Sequence, residues 1–310
     1  MRRLLIAIVW VGVMALPGGA EAALRIVSYN TLEGPRNGFL DVVRAIEAES
    51  RSGIARPVDV FVLQEQTTVQ TTTQAIVNLL NGHYGAGTYA RGTVNIGSSS
   101  NSDRLGLVYK TDTVELVDEV AFGQYGVNPR PPRQTMRYRL RPVGYGADAD
   151  FYVYNDHYKA SNNSEGRSRR NAEAQTVRYD AAYGAAALGS DAHVVYAGDF
   201  NVYYSSEPMF QTLTAVGVGQ AIDPIDRVGS WHNNSYYADV HTQATRDNYG
   251  GMDDRFDFQL VTAPVMDGEG IDIIPGTYRA FGNNGTAFNR SVTDGTGAAP
   301  AVLQALYNAS

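Results

Sequence analysis

The chain has 310 residues, a formal net charge of −7 and no cysteine. Its length suits one large domain with a sizeable core, and the lack of thiols excludes disulfide staples and zinc-thiolate centres. The acidic balance excludes attraction to nucleic acid or anionic membranes through overall charge alone.

Arg2 and Arg3 open the chain, an apolar stretch runs from Leu4 to Leu16, and Ala20-Glu21-Ala22 has a small-x-small pattern. The apolar stretch is short for a bilayer span. Residues 1–22 therefore read as an export leader, with a mature chain starting near Ala23 and a secreted or periplasmic location. Losing the leader removes two positive charges and one negative, so the mature chain is more acidic by one charge. Residues 23–310 read as one domain without linker or repeat.

Leu24–Asn30 reads as a first core strand ending in an amide. Apolar residues at 39, 40, 42, 43 and 46 give a helical face, closed by Gly53 and Pro57. Val58-Asp-Val-Phe-Val-Leu is a buried strand that ends in Gln64 and Glu65, and a helix passes through 75–80. This strand-helix-strand-helix opening fits a sheet with helices packed outside it.

Residues 88–94, 105–110, 113–118, 134–140 and 150–157 are strand-like, separated by Gly, Asn, Asp and Pro turns. The last of these delivers His157. A polar helix covers about 164–188, with Arg167, Arg169 and Arg170 read as its surface. Strand 193–198 ends in Gly198-Asp199-Phe200-Asn201. Side chains alternate on an extended chain, so Asp199 and Asn201 can point the same way past the sheet's end. An acid beside an amide suits metal-assisted hydrolysis. Pro208 marks the first turn of another helix. Residues 223–252 look irregular and aromatic-rich, strands return near 256–262 and 271–279, and 301–306 is a short helix.

Each main strand thus carries a polar group near its carboxyl end: Asn30, Glu65, His157 and Asp199, with Asp257 on a further strand. In layered α/β folds ligands gather at such ends. This order resembles the endonuclease/exonuclease/phosphatase family, deoxyribonuclease-I-like, from about Arg25 onward. The Gln64-Glu65 and Gly-Asp-Phe-Asn elements are its most specific parts. The resemblance implies a four-layer α/β/β/α sandwich of two packed mixed sheets. It implies Glu65 as principal Mg²⁺ ligand, with Asn30 and Asp199 beside the metal. Asp199 and Asn201 would position the attacking water, His157 would contact the scissile phosphate, and Asp257 would orient a second histidine. Arg133 resembles an arginine near the substrate, and Asn155 joins it as a substrate-binding candidate. The family pattern closes on Ser-Asp-His, of which Ser310 matches the serine. The chain is therefore expected to stop just short of that motif and of the strand after it, leaving an unpaired sheet edge or a gap.

Hard oxygen donors without thiols favour Mg²⁺, Mn²⁺ or Ca²⁺. The function expected from the resemblance is metal-dependent hydrolysis of a phosphodiester by activated water, nuclease-like. A sphingomyelinase-like lipid phosphodiesterase and a phosphomonoesterase are the rivals of the same chemistry. A non-catalytic binding protein on the same fold is the rival of another class, suited by the absence of the closing histidine. The substrate classes are DNA or RNA, a phospholipid head group, or a small phosphoester. A monomer with no obligate protein partner is expected.

Two readings stand for several features. Arg137 and Arg139 share a strand face that either contacts phosphates or is simply solvated. Trp231, Tyr236 and Tyr237 either stack on a substrate or form a loop's own small core. Gly282-Asn-Asn-Gly285 is either a phosphate nest or a tight turn.

Overall fold

Two stacked β-sheets form the centre of the computed structural model, which describes residues 6–13, 22–96, 104–123, 133–184, 186–243 and 245–309. Along the chain the strands are β1 (Ile6–Val13), β2 (Ala22–Asn30), β3 (Val60–Gln66), β4 (Tyr89–Arg91), β5 (Arg104–Lys110) and β6 (Val114–Phe122). They continue as β7 (Thr135–Pro142), β8 (Phe151–His157), β9 (Val194–Asp199), β10 (Asp257–Val261), β11 (Ile271–Ile273) and β12 (Arg279–Ala280). The α-helices are α1 (Phe39–Ala48), α2 (Gln74–Tyr84), α3 (Ser164–Ala182), α4 (Pro208–Thr214) and α5 (Pro300–Asn308).

The first sheet runs β11-β1-β2-β3-β5-β4, with β12 also paired to β1, and the second runs β10-β9-β8-β7-β6. Among the described strands, only the β2–β3 and β8–β9 pairs are parallel. Strand periodicity explains the layering. On β3, Val60 and Val62 face the second sheet and pack among Met136, Tyr138 and Val153. Phe61 and Leu63, the alternate residues, face α1, α2 and α5 through Val42, Ile46, Leu80 and Leu303. The second sheet repeats the arrangement, with Tyr154, Tyr196 and Phe258 turned toward Val177 of α3 and Phe210 of α4. This is the four-layer α/β/β/α sandwich expected from the sequence.

Two local differences have physical causes. The expected strand at 271–279 is two short ones, β11 and β12, because Pro275 and Gly276 break it. Helix α3 ends at Ala182 rather than near 188, where the chain turns back and the amide of Leu188 reaches the carbonyl of Ala181. β2 also has a neighbour that the sequence did not suggest. Ile6–Val13, inside the stretch read as a leader, lies antiparallel along it. Ser310 lies outside the described residues. No helix among them is long and apolar enough to cross a membrane.

Candidate active site

The parallel pairs place four strand ends at one rim of the sandwich. Asn30 ends β2 opposite Gln64 of β3, and His157 ends β8 opposite Asp199 of β9. Asp257 begins the antiparallel strand β10 directly opposite Asp199, so their side chains share a face.

Glu65 reaches the rim through a bulge. Leu63 pairs with Gly106 and Gln66 with Arg104, so Gln64 and Glu65 stand against one residue of β5. Glu65 adopts a left-handed backbone, φ 53°. Without the bulge, alternation would send it after Phe61 and Leu63 into the helix-covered face. The bulged carbonyls are taken by the loop after β2: the amide of Thr31 donates to Gln64 and that of Glu33 to Glu65.

The Asn30 carboxamide links the two acids. Its Nδ2 donates to Glu65 Oε1 at 2.9 Å and to Asp199 Oδ2 at 3.4 Å. Its Oδ1 accepts from the Leu32 amide at 3.2 Å, which fixes the rotamer. His157 Nε2 stands 3.8 Å from Glu65 Oε1 and 3.9 Å from Asp199 Oδ2. One ligand atom from each of Glu65, His157 and Asp199 falls within 4.8 Å of the other two. Asp199 is fully buried and the Glu65 side chain is only 13% exposed. Two carboxylates converging in so little water repel unless a cation offsets them, and the oxygen-rich donor set fits a hard divalent ion. Asn30, Glu65 and Asp199 are the residues that would hold it, and the geometry adds His157 to that group.

Asn201 also sits where the sequence suggested. Its Nδ2 donates to the carbonyl of Tyr158 at 2.9 Å, and its own amide donates to Asp199 Oδ1 at 2.9 Å. Its backbone is left-handed, φ 51°, a conformation asparagine tolerates. Asp257 is fully buried, and its Oδ2 accepts from the Thr242 hydroxyl at 3.2 Å. Asp156, between Asn155 and His157, is fully buried. Burial pushes its carboxyl up to about 8, against the pull of the Thr135 hydroxyl.

One expected substrate contact needs correction. Asn155 does not face the rim: it is fully buried between the sheets. Its Nδ2 donates to the carbonyls of Leu63 and Gly106 and its Oδ1 accepts from Gln64 Nε2. Arg133, the other candidate, is half-buried and braces the backbone next to His157. Its Nη1 donates to the carbonyls of His157 and Tyr158 at 3.1 and 2.8 Å, which fixes the turn after β8.

Three further arginines are also engaged. Arg137 is mostly buried and pairs with Asp180 of α3, while Arg139 pairs with Asp150. Arg170, read as helix surface, is fully buried against Glu207. Trp231 belongs to the core of the second sheet, whereas Tyr236 is exposed beside the Arg227 guanidinium. Asn283 makes the 282–285 segment a braced turn by donating to the carbonyls of Ala238 and His241.

Some contributors carry no signal in the sequence. Thr242 sits in the irregular 223–252 stretch and holds both the amide and the carboxylate of Asp257. Nearby, His232 Nδ1 lies 2.8 Å from Asp254 Oδ1, with the Tyr203 and Tyr204 rings edge-on to the imidazole. Neither pairing follows any spacing rule, because loops bring together residues that no period relates.

A family model for the endonuclease/exonuclease/phosphatase family matches residues 27–288. No curated protein matches in sequence. Among solved structures, an endonuclease/exonuclease/phosphatase family protein from Bacteroides thetaiotaomicron is 16% identical, with a TM-score of 0.49 over 77% of this chain and 81% of that one. A mannosyl-6-phosphatase from the same organism is 15% identical, with a TM-score of 0.48 over 77% and 85%. The human Nocturnin catalytic domain with bound sulfate anion is 13% identical, with a TM-score of 0.47 over 71% and 75%. The family match takes in every rim residue from Asn30 to Asp257, and the chain belongs to the endonuclease/exonuclease/phosphatase family.

Proposed function

We propose that this protein is a divalent-cation-dependent phosphodiesterase, nuclease-like in its chemistry. The observation that carries the reading is the convergence of Glu65, His157 and Asp199 from two sheets, bridged by Asn30. Mg²⁺ suits this donor set, and Mn²⁺ or Ca²⁺ satisfies the same oxygens. Such an ion, when bound, offsets charge on the phosphoryl oxygens.

The chain's own groups supply orientation. Asn201, fixed by Tyr158 and Asp199, presents an amide beside an acid, a pair able to hold the attacking water in line. His157 at the end of β8 can donate to a phosphoryl oxygen, a contact that strengthens as charge develops. Asp257, on the same face as Asp199, is held ready for a basic partner by Thr242.

The test is a substrate panel with purified protein: single- and double-stranded DNA, RNA, sphingomyelin vesicles and p-nitrophenyl phosphate, each with Mg²⁺ and with chelator. The reading expects cleavage of a diester that chelator abolishes. Lipid hydrolysis alone assigns the membrane substrate, and monoester hydrolysis alone assigns a phosphatase. Inertness toward all of them, with Mg²⁺ still bound, favours a binding protein on this fold. We also propose export, with residues 1–22 removed, which takes β1 away and leaves the edge of β2 unpaired in the mature chain. The amino-terminal residue of the protein recovered outside the cytoplasm tests that, with Ala23 expected.

A further inference from the structure

We propose that Asn155 is a positioning residue for the Glu65 carboxylate, acting through the bulge that carries it. The inference rests on the reading of Glu65 as a cation ligand.

The ladder between β3 and β5 is regular up to Leu63 and Gly106 and resumes at Gln66 and Arg104. A bulge disrupts the ladder locally, and Asn155 reaches across from the opposite sheet to the residues beside it. Its Nδ2 lies 3.0 Å from the carbonyl oxygen of Leu63 and 3.0 Å from that of Gly106. Its Oδ1 accepts from Gln64 Nε2 at 2.8 Å. One carboxamide therefore grips the residue before the bulge, the first bulged residue and the facing strand. The second bulged residue is Glu65.

The site around Asn155 is closed. Asn155 and Gln64 are both fully buried. Gly106 leaves no slack either, because a Cβ there would meet the Thr73 hydroxyl at 2.6 Å. Relaxing the bulge would return Glu65 toward the helix-covered face that alternation assigns it. Asn155 touches neither the rim nor any group expected to react. It sets where one cation ligand stands, and supporting contacts of this kind tune metal affinity by about 10- to 100-fold.

The experiment titrates the full chain with Mn²⁺ alone, followed by calorimetry and by the electron paramagnetic resonance of free Mn²⁺. Asn155→Asp keeps the acceptor and loses the donor; Asn155→Ala loses both. Both are expected to weaken Mn²⁺ binding about tenfold or more. Val153→Ala, an equally buried apolar site on the same strand, is expected to lower the melting temperature and leave Mn²⁺ affinity within twofold of wild type. Mn²⁺ affinity unchanged in both Asn155 variants overturns the proposal, as does equal weakening by Val153→Ala. Should the Asn155 variants not fold, Gln64→Met removes a single bond of the grip, and unchanged affinity there overturns the proposal as well. Equal Mn²⁺ binding by wild type and Glu65→Gln is a different result: it removes Glu65 from the cation site and takes this inference with it.

Discussion

Glu65 and Asp199 belong to different sheets and share one hydrogen-bond donor, the Asn30 carboxamide. The sharing draws two acids together at a rim where water is scarce. A cation that binds the folded form but not the unfolded one stabilises by mass action, about 2.7 kcal/mol at a hundred times its dissociation constant. Mn²⁺ or Mg²⁺ is therefore expected to raise the melting temperature by several degrees, and chelator to reverse the rise. Asp199→Asn keeps the shape and removes a charge. It is expected to melt at or above the wild-type temperature without cation and to lose the cation-dependent rise. A full rise in Asp199→Asn counts against Asp199 as a ligand.

Gly198 is the hinge on which Asp199 depends. Its backbone has φ 141°, and a Cβ there would lie 1.9 Å from the carbonyl oxygen of Asp156 on the neighbouring strand. No rotamer change relieves a clash with backbone. Gly198→Ala is expected to cost more than about 4 kcal/mol, the range of mutations that break a core strand. Loss of soluble protein, or of its near-ultraviolet circular dichroism, is the readout. A variant that melts within a few degrees of wild type contradicts the close β8–β9 approach.

The layers and rim residues were legible because periodicity and position encode them. Val60 and Val62 against Phe61 and Leu63 give the two faces of β3, and strand ends give Asn30, His157 and Asp199, whereas Glu65 reaches the same rim through a bulge that alternation does not announce. Depth along a strand was not legible. Asn155 and His157 share a face, two residues or about 7 Å apart. That step carries one from the open rim to a place roofed by the other sheet, and no residue type announces it. Arg133, Arg137 and Arg170 were illegible for another reason. A guanidinium that serves carbonyls or a buried acid looks, in sequence, like one that serves phosphate. The stretch Ile6–Val13 shows the same ambiguity for apolar runs: β-branched and aromatic residues suit both a leader's apolar core and a strand.

Arg170 and Glu207 join the two loops behind the rim. The guanidinium donates to the carbonyls of Lys159 and Ser161 and to Glu207 Oε2, and Glu207 Oε1 accepts from the Tyr203 amide. Lys159 follows Tyr158, whose carbonyl holds Asn201, and Tyr203 lies two residues past Asn201. Arg170→Met strands a buried carboxylate and two carbonyls and is expected to cost about 3–5 kcal/mol. Adding Glu207→Gln removes the stranded charge, so the double variant is expected to recover part of that loss in urea melts. Simple additivity of the two substitutions would mean the residues do not act as a pair.

Acid stability tests a deeply buried ion pair. Arg255 Nη1 and Nη2 donate to Asp223 Oδ2 and Oδ1 at 2.6 and 2.9 Å, with both side chains 1% exposed. Burial alone would raise the Asp223 carboxyl. The Arg255 guanidinium overcomes it, helped by the amides of Arg227 and Ile225, so the carboxyl is held below its ordinary value. A carboxyl lowered by folding contributes stability above its unfolded value, about 3.9, and that contribution fades as pH falls through the lower folded value. Asp223→Asn leaves Arg255 buried without its counter-charge and is expected to cost about 3–5 kcal/mol at pH 7. Below pH 4 the wild type protonates the same oxygen that the variant has lost. The gap between their urea midpoints is therefore expected to narrow steadily from pH 4 toward pH 2. A gap that stays constant over that window would place the acid sensitivity elsewhere in the fold.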